Sequence, residues 1–305
     1  MTEGDSFEDL DPVQLLEQAA AAEQAGDKST AAKILNTVGN IYMSVADYQE
    51  ALTNFERALK MYQELEEAAG IGDTIYNLGV AQINLERWED AAKTLSEALA
   101  FFEKTSNEDG TADALYGLAL AKLGMNAFEE AMEFFKKAQR VYKAAGNEQG
   151  FVSTVMDIGN AYADKEDWEN AEKTFKKALT IYRELDDASG IADALSLLGD
   201  IAETQENQKK AVELFVEAAQ YYVKAGILDI AREVIERAES KLWDVPKATR
   251  RRLRPMIDEV IDNLPEEPEE EAEDGSELSD EDFDEELLDI GTEGEDYSDT
   301  DNDVE

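Results

Sequence analysis

The sequence has no cysteine and no histidine, and only 5 prolines in 305 residues. Without cysteine there is no disulfide, and without either residue there is no zinc site of the usual nitrogen and sulfur ligands. The same absence removes Ser-His-Asp and Cys-His nucleophile pairs and any histidine general base. Basic residues are scarce as well: 28 Lys+Arg stand against 72 Asp+Glu, a formal net charge of -44. Nucleic-acid binding requires lysine and arginine to displace counterions from phosphate, so no nucleic-acid partner is expected, and an anionic membrane surface is disfavoured for the same reason. No run of eighteen apolar residues, charged-then-apolar leader or lipidation motif is present, so the chain reads as soluble and cytoplasmic, without membrane insertion.

The charge is unevenly placed. Residues 265-305 hold 22 acidic and no basic residues, so that stretch carries half of the net charge. A run such as Glu266, Glu267, Pro268, Glu269, Glu270, Glu271 cannot bury enough apolar surface to offset chain entropy. Residues 265-305 are therefore expected to form a disordered acidic tail, and residues 1-10 a short disordered arm. Between them the apolar residues, 43% of the chain, recur at helical spacing, and no segment alternates as a strand would.

Self-similarity at a period of 40 residues organises this body. Gly39, Gly79, Ala119, Gly159 and Gly199 share one column, and Leu35, Ile75, Leu115, Val155 and Leu195 another. Tyr48, Trp88, Phe128 and Trp168 form a third, where Gln208 departs. Ala51, Ala91, Ala131, Ala171 and Ala211 precede Phe55, Leu95, Phe135, Phe175 and Phe215 by one turn, and the Ala58 and Tyr62 columns follow. Each unit is a pair of helices in which the small residues allow close approach and the aromatic columns fill the gaps between successive pairs. Gly70, Gly110, Gly150 and Gly190 are expected to take the left-handed cap that ends each second helix.

These columns resemble the tetratricopeptide repeat (TPR), whose motif runs W-x2-L-G-x2-Y, A-x3-F, P. The first unit reads Leu35, Val38, Gly39, Tyr42, Ala51, Phe55, Ala58, and the fourth Val155, Ile158, Gly159, Tyr162, Ala171, Phe175, Ala178. The period of 40 resembles the longer-repeat branch of Pins/LGN-type adaptors, rapsyn and kinesin light chain. The family's closing proline is replaced by Gln63. The resemblance implies an all-α, right-handed solenoid: a capping helix within 11-28, five units over 29-226, and capping helices over 227-264, at 227-243 and 246-263. Asp11 followed by Pro12 is a helix start in its own right.

The same resemblance places a ligand groove on the first helix of each unit. Carried over residue by residue, it is lined by Asn36, Asn40, Asp73, Tyr76, Asn77, Val80, Asp113, Tyr116, Leu120, Met156, Asn160 and Asp200, with Ile83, Leu123, Asp193 and Glu203 beside them. The middle of this groove is apolar and its far end acidic. Tyr76 and Tyr116 lie outside the packing columns and are the expected ligand contacts; Val80, Ile83, Leu120 and Leu123 serve equally well as packing between helices. The chaperone-binding branch of the family grips a terminal carboxylate with basic side chains, but Asn36, Asp113 and Gly117 occupy those places here. The expected partner is therefore a protein segment with apolar anchors and basic flanks.

Other features carry less. Lys247, Arg250, Arg251, Arg252 and Arg254 form the basic cluster of the chain, read as a solvated cap helix or as a dock for Phe283, Leu287, Leu288 and Ile290. Asp280, Asp282 and Asp284 have the spacing of a calcium loop, but Glu285 stands where glycine is required. Ser279 precedes an acidic run suited to an acid-directed kinase. A pair such as Glu203 and Glu206 has the residue types of a glycosidase, yet the repeat leaves no irregular loop for a catalytic pocket. No enzyme activity and no cofactor are expected. The reading is a non-catalytic interaction scaffold; the alternative is an acidic chaperone or escort for basic proteins that acts through the tail.

Overall fold

The computed structural model describes residues 11–265. The expected arm at 1-10, the acidic segment from Glu266 onward, the Asp280 to Asp284 run, Ser279 and the Phe283 to Ile290 anchors lie outside the described residues. Among the described residues there are thirteen α-helices and one 3-10 turn, and no strand. Helix α1 (Pro12–Gln24) is followed by five pairs: α2 (Lys28–Ser44) with α3 (Tyr48–Leu65), α4 (Ala68–Asn84) with α5 (Trp88–Thr105), α6 (Glu108–Gly124) with α7 (Phe128–Ala145), α8 (Glu148–Asp164) with α9 (Trp168–Glu184), and α10 (Ala188–Thr204) with α11 (Gln208–Ala225). Helix α12 (Leu228–Ser240), a 3-10 turn (Leu242–Asp244) and α13 (Lys247–Asp262) close the stack. Trp243 was expected within a helix over 227-243; it stands in the 3-10 turn and is 77% exposed. Each helix packs on its neighbours in sequence, giving a solenoid.

The turns explain the regular period. Gly26, Ala46, Glu66, Glu86, Ser106, Asn126, Gly146, Glu166, Asp186, Glu206 and Gly226 all have positive φ, one in every 20 residues. At each, two backbone bonds close the preceding helix: Ala46 N–H donates to Met43 C=O at 3.2 Å and Asp47 N–H to Tyr42 C=O at 2.9 Å. That pair of bonds is a Schellman motif. At most of the turns the residue that completes it then caps the next helix: the Asp27, Asp47, Asn107, Asn147, Asp167, Asp187 and Asn207 side chains accept from the N–H three residues on, whereas Glu67, Arg87, Ala127 and Ile227 make no such bond. A left-handed L-residue costs about 1–2 kcal/mol, and a cap returns about 1 kcal/mol, so Ala, Glu and Asp are tolerated where glycine is the simplest choice. The expectation that Gly70, Gly110, Gly150 and Gly190 are the left-handed caps is thus corrected. They lie in the first turn of the following helix, where a Cβ on Gly70 would stand 2.5 Å from the Tyr62 ring.

Packing follows the columns. A Cβ at Gly39 would overlap the Phe55 ring, at Gly159 the Phe175 ring and at Gly199 the Phe215 ring, so the glycine brings the two helices of a unit together. The Phe55 ring therefore seats inside its own pair as well as against Leu78 and Ala81 of the next. The bridge between units is the Tyr62 column, whose rings cover Gly70, Gly150 and Gly190 from the preceding unit. Phe55, Phe135 and Phe215 are fully buried, each contributing about 1.5–3 kcal/mol. The first helices α2, α4, α6 and α8 pack on one another in succession, and the second helices do so far less. The first-helix face is therefore the crowded, inner side of the stack.

Replacing Gly159 by Ala should destabilise the body by about 1–3 kcal/mol through overpacking against Phe175. Ala119 already occupies this column in the third unit, so the loss reflects the local ring position, and urea unfolding followed by circular dichroism reads it. A stability equal to the wild type would show that the ring is free to move aside.

Candidate functional site

The inner face presents the residues expected of a groove. Asn36, Asn40, Tyr76, Asn77, Val80, Asp113, Tyr116, Leu120, Met156, Asn160 and Asp200 are half-buried, and Asp73 is exposed. At the first units this face is amide-rich. Thr74 Oγ1 donates to Asn36 Oδ1 at 3.3 Å, and Asn77 Nδ2 approaches Asn40 Oδ1 at 3.4 Å, tying α2 to α4. Next come apolar side chains that also serve packing: Ile83 against Ala91 and Leu95, Leu120 and Leu123 against Phe135, Met156 against the largest core cluster. Tyr76 and Tyr116 rest on the same cores, with the Tyr116 and Phe135 rings 6.1 Å apart.

From Tyr76 onward the face becomes a ladder of tyrosines and aspartates. Tyr142 Oη donates to Asp113 Oδ1 at 2.6 Å, Tyr116 Oη to Asp157 Oδ2 at 2.5 Å, and Tyr222 Oη to Asp193 Oδ1 at 2.6 Å. Burial raises the Asp113 carboxyl above its ordinary value, partly offset by the Tyr142 hydroxyl. Burial likewise raises Asp157, against which the Tyr116 hydroxyl and the Asn160 amide pull downward. The phenols respond in the same direction: Tyr76 is pushed up to about 12 by burial and by Asp113, and Tyr182 to about 12 by burial and then Asp187 and Asp193. Tyr116, Tyr142 and Tyr222 are also raised by burial and by their aspartate partners. They remain neutral donors at physiological pH.

Charge accumulates along the first helices. Helix α2 has two bases, Lys28 and Lys33, and no acid, whereas α4 has Asp73 alone. Helix α6 sets Glu108, Asp109 and Asp113 against Lys122; α8 has Glu148, Asp157 and Asp164, and α10 Asp193, Asp200 and Glu203, neither with a base. At the far end α12 supplies the missing cations. Arg237 lies 2.5 Å from both Asp200 Oδ1 and Glu203 Oε2, with its guanidinium 4.4 Å from the Phe215 ring centre, and Lys241 lies 2.5 Å from Glu203 Oε1. Glu206 sits in the turn with positive φ, and Glu203 is spent on Arg237 and Lys241, so these two do not form the carboxylate pair of a glycosidase.

Sequence reasoning missed Asp157, Tyr142, Tyr222 and Arg237. The Tyr62 column was assigned wholly to packing; its signal was a hydroxyl kept in four of five units, standing 29 residues after an aspartate in two of them. The basic residues of α13 are largely committed: Arg252 pairs with Glu213, Arg254 lies 2.6 Å from Glu239 and 2.9 Å from Asp258, and Arg250 stacks 4.3 Å from the Trp243 ring centre. A cavity of about 450 Å³ lined by Glu103, Asn107, Arg140 and Val141 includes no residue of the ladder. Among the described residues no three carboxylates converge as a metal site, and no helix is long and apolar enough to cross a membrane.

Comparison with known proteins agrees with the helical-repeat fold. The family model of the MalT-like TPR region matches residues 38–275. No curated protein matches the sequence. Among solved structures, BtubC (BKLC) from P. vanneervenii is similar with a TM-score of 0.59 at 18% identity, over 70% of this chain and 89% of that one. The TPR-like repeats of a putative kinesin light chain from Podosopora anserina give a TM-score of 0.53 at 14% identity, over 64% of this chain and 95% of that one. A Rap protein complexed with Competence and Sporulation Factor gives 0.50 at 15% identity, over 82% of this chain and 75% of that one. At these identities the likeness is one of fold.

Raised aspartate pKa values have a stability consequence with a definite sign. The folded chain holds protons on Asp113 and Asp157 at pH values where the unfolded chain has released them, so these groups lower stability at neutral pH. That loss is relieved as pH falls through the raised folded values towards the ordinary 3.8. Asp157→Asn should therefore raise Tm at pH 7 and flatten the gain in Tm that the wild type shows on mild acidification. Thermal unfolding of both proteins across a pH series is the measurement, and parallel curves would contradict the assignment.

Proposed function

The chain belongs to the family of MalT-like TPR regions, and from that premise we propose that it is a non-catalytic scaffold that captures a protein segment bearing apolar anchors and basic flanks on its inner face. The observation that carries this reading is the state of Asp113 and Asp157. Both carboxylates are half-buried and satisfied by tyrosine hydroxyls and an amide, with no cation among the described residues paired to either. Such groups are costly to keep in a fold that does not need them for packing. A lysine or arginine brought by a partner would offset that cost, and the neighbouring Tyr76, Val80 and Leu120 supply amphipathic and apolar contact area.

This scaffold uses no cofactor and carries out no reaction: its polar groups are acceptors already held by phenols, with neither nucleophile nor histidine beside them. The Rap protein in complex with Competence and Sporulation Factor gives a precedent for a fold of this kind holding a partner. We place it in the cytoplasm. The second reading, an escort of basic proteins acting through residues 265-305, rests on the 22 acidic residues in that stretch.

Affinity capture on the full chain and on the Tyr76→Ala, Val80→Asp double variant separates the two. Loss of the captured partner by a variant with unchanged helicity is the expected result for the groove. Retention of the partner by the variant, with release when residues 266-305 are removed or salt is raised, would establish the escort instead.

A further inference from the structure

We infer that the groove is directional: a bound segment lies with its apolar residues over α4 and α6 and its cationic end over α8, towards α10. This deepens the groove reading and rests on it. Three observations converge. The first helices pass from net positive at α2 to wholly acidic at α8 and α10. Of the apolar residues named for the groove, Val80, Ile83, Leu120 and Leu123 lie on α4 and α6, before that acidic part, and Met156 alone lies on α8.

The third observation comes from the chain's own use of the same surface. Helix α12 follows α10 as the first helix of a sixth unit would, and it delivers Arg237 to Asp200 and Glu203 with the guanidinium stacked on Phe215. This is a carboxylate, an aromatic ring and an arginine brought together in one partly exposed arrangement. Asp157 lies on the preceding first helix, one turn before Asn160, which fills the Asp200 column there; it has a tyrosine hydroxyl and a raised carboxyl but no arginine. The bound partner's cation completes at Asp157 what Arg237 completes at Asp200. At the opposite end α2 offers no carboxylate, and its exposed Lys33 disfavours a cation there.

The geometry also sets a spacing. Neighbouring packed helices stand about 8–10 Å apart, so an anchor over α6 and a cation over α8 are about three residues apart in an extended segment at ~3.3 Å per residue. In a helical segment, at ~1.5 Å per residue, they are about six apart. A leucine-like residue followed or preceded at one of those intervals by arginine or lysine is the recognisable element.

A random peptide library panned against the full chain, with the best binder resynthesised, tests this. The binder carries a dansyl group at either its apolar or its basic end, and energy transfer is read from Trp88, at the start of α5, and from Trp168, at the start of α9, in variants that keep one tryptophan each. The expected result is enrichment of the apolar-to-cation spacing, stronger transfer from Trp168 to the basic-end label and from Trp88 to the apolar-end label, and roughly tenfold weaker binding by Asp157→Asn. Binders that are basic and apolar but give equal or reversed transfer overturn the direction while leaving the groove reading intact. Binders without cations, or indifferent to Asp113→Asn and Asp157→Asn together, overturn both.

Discussion

The seating of an aromatic ring on bare glycine backbone sets the spacing on which the rest of the molecule depends. Phe55 on Gly39, Phe175 on Gly159 and Phe215 on Gly199 hold the two helices of a unit at one close distance. The Tyr62 and Gly70 columns then repeat the device between units. Dispersion falls off steeply with a gap of even an ångström, so the contact works only if every turn delivers its helix at the same angle and height. The left-handed residue that recurs every 20 positions from Gly26 to Gly226 provides that constancy. Packing and turn geometry therefore specify each other, and the 40-residue period is two copies of one 20-residue helix and turn.

Because the buried columns satisfy packing, the remaining positions on the first helices are free to carry polar groups. That freedom is used in a graded way. Amides bridge α2 and α4 through Asn36, Asn40 and Asn77; tyrosine and aspartate join α6, α7 and α8; full ion pairs join α10 and α12. Neutral pairs cost least when half-buried, and uncompensated carboxylates cost most. The energetic tension of the inner face is therefore concentrated at Asp113 and Asp157, between an end that needs no partner and an end that already has one.

The sequence made the packing legible and left the polar geometry obscure for a physical reason. Columns such as Ala51, Phe55 and Ala58 recur because every unit faces the same steric problem, and repetition exposes them. The turns were hidden because a left-handed Ala46 or Glu166 carries no local signature: its strain is offset by bonds to residues earlier in the helix and by a cap that reads as an ordinary Asp. Gly70 drew the assignment instead, since a glycine near a helix end suggests a cap, although its role is to clear space for Tyr62. The Tyr142 to Asp113 bond joins two helices, and Tyr142 also belongs to a packing column, so its hydroxyl was masked by the role of its ring. Asp157 has no counterpart in the other units, where Asn77, Gly117 and Leu197 fill the column, and a search for repetition passes over it. The groove residues were carried over from the family's pattern, which places a residue on a face but not its bonding partner.

The exposed ion pairs between helices show that stability here does not rest on surface charge. Lys28 with Glu64, Arg57 with Glu23 and Arg183 with Glu217 are each 36% exposed or more, and pairs so open to solvent are worth about 0–1 kcal/mol and are screened by salt. They cannot hold a solenoid together; the buried rings and alanines do. The carboxylates of the inner face are instead partly withdrawn from water, where a charge interacts more strongly with whatever approaches it. Packing thus supplies a frame largely indifferent to ionic strength, and the charges with leverage are those the frame shelters at Asp113 and Asp157. The net charge of -44 is in this sense mostly background, and the carboxylates whose ionisation the fold perturbs on the inner face include Asp113 and Asp157, held by tyrosine hydroxyls.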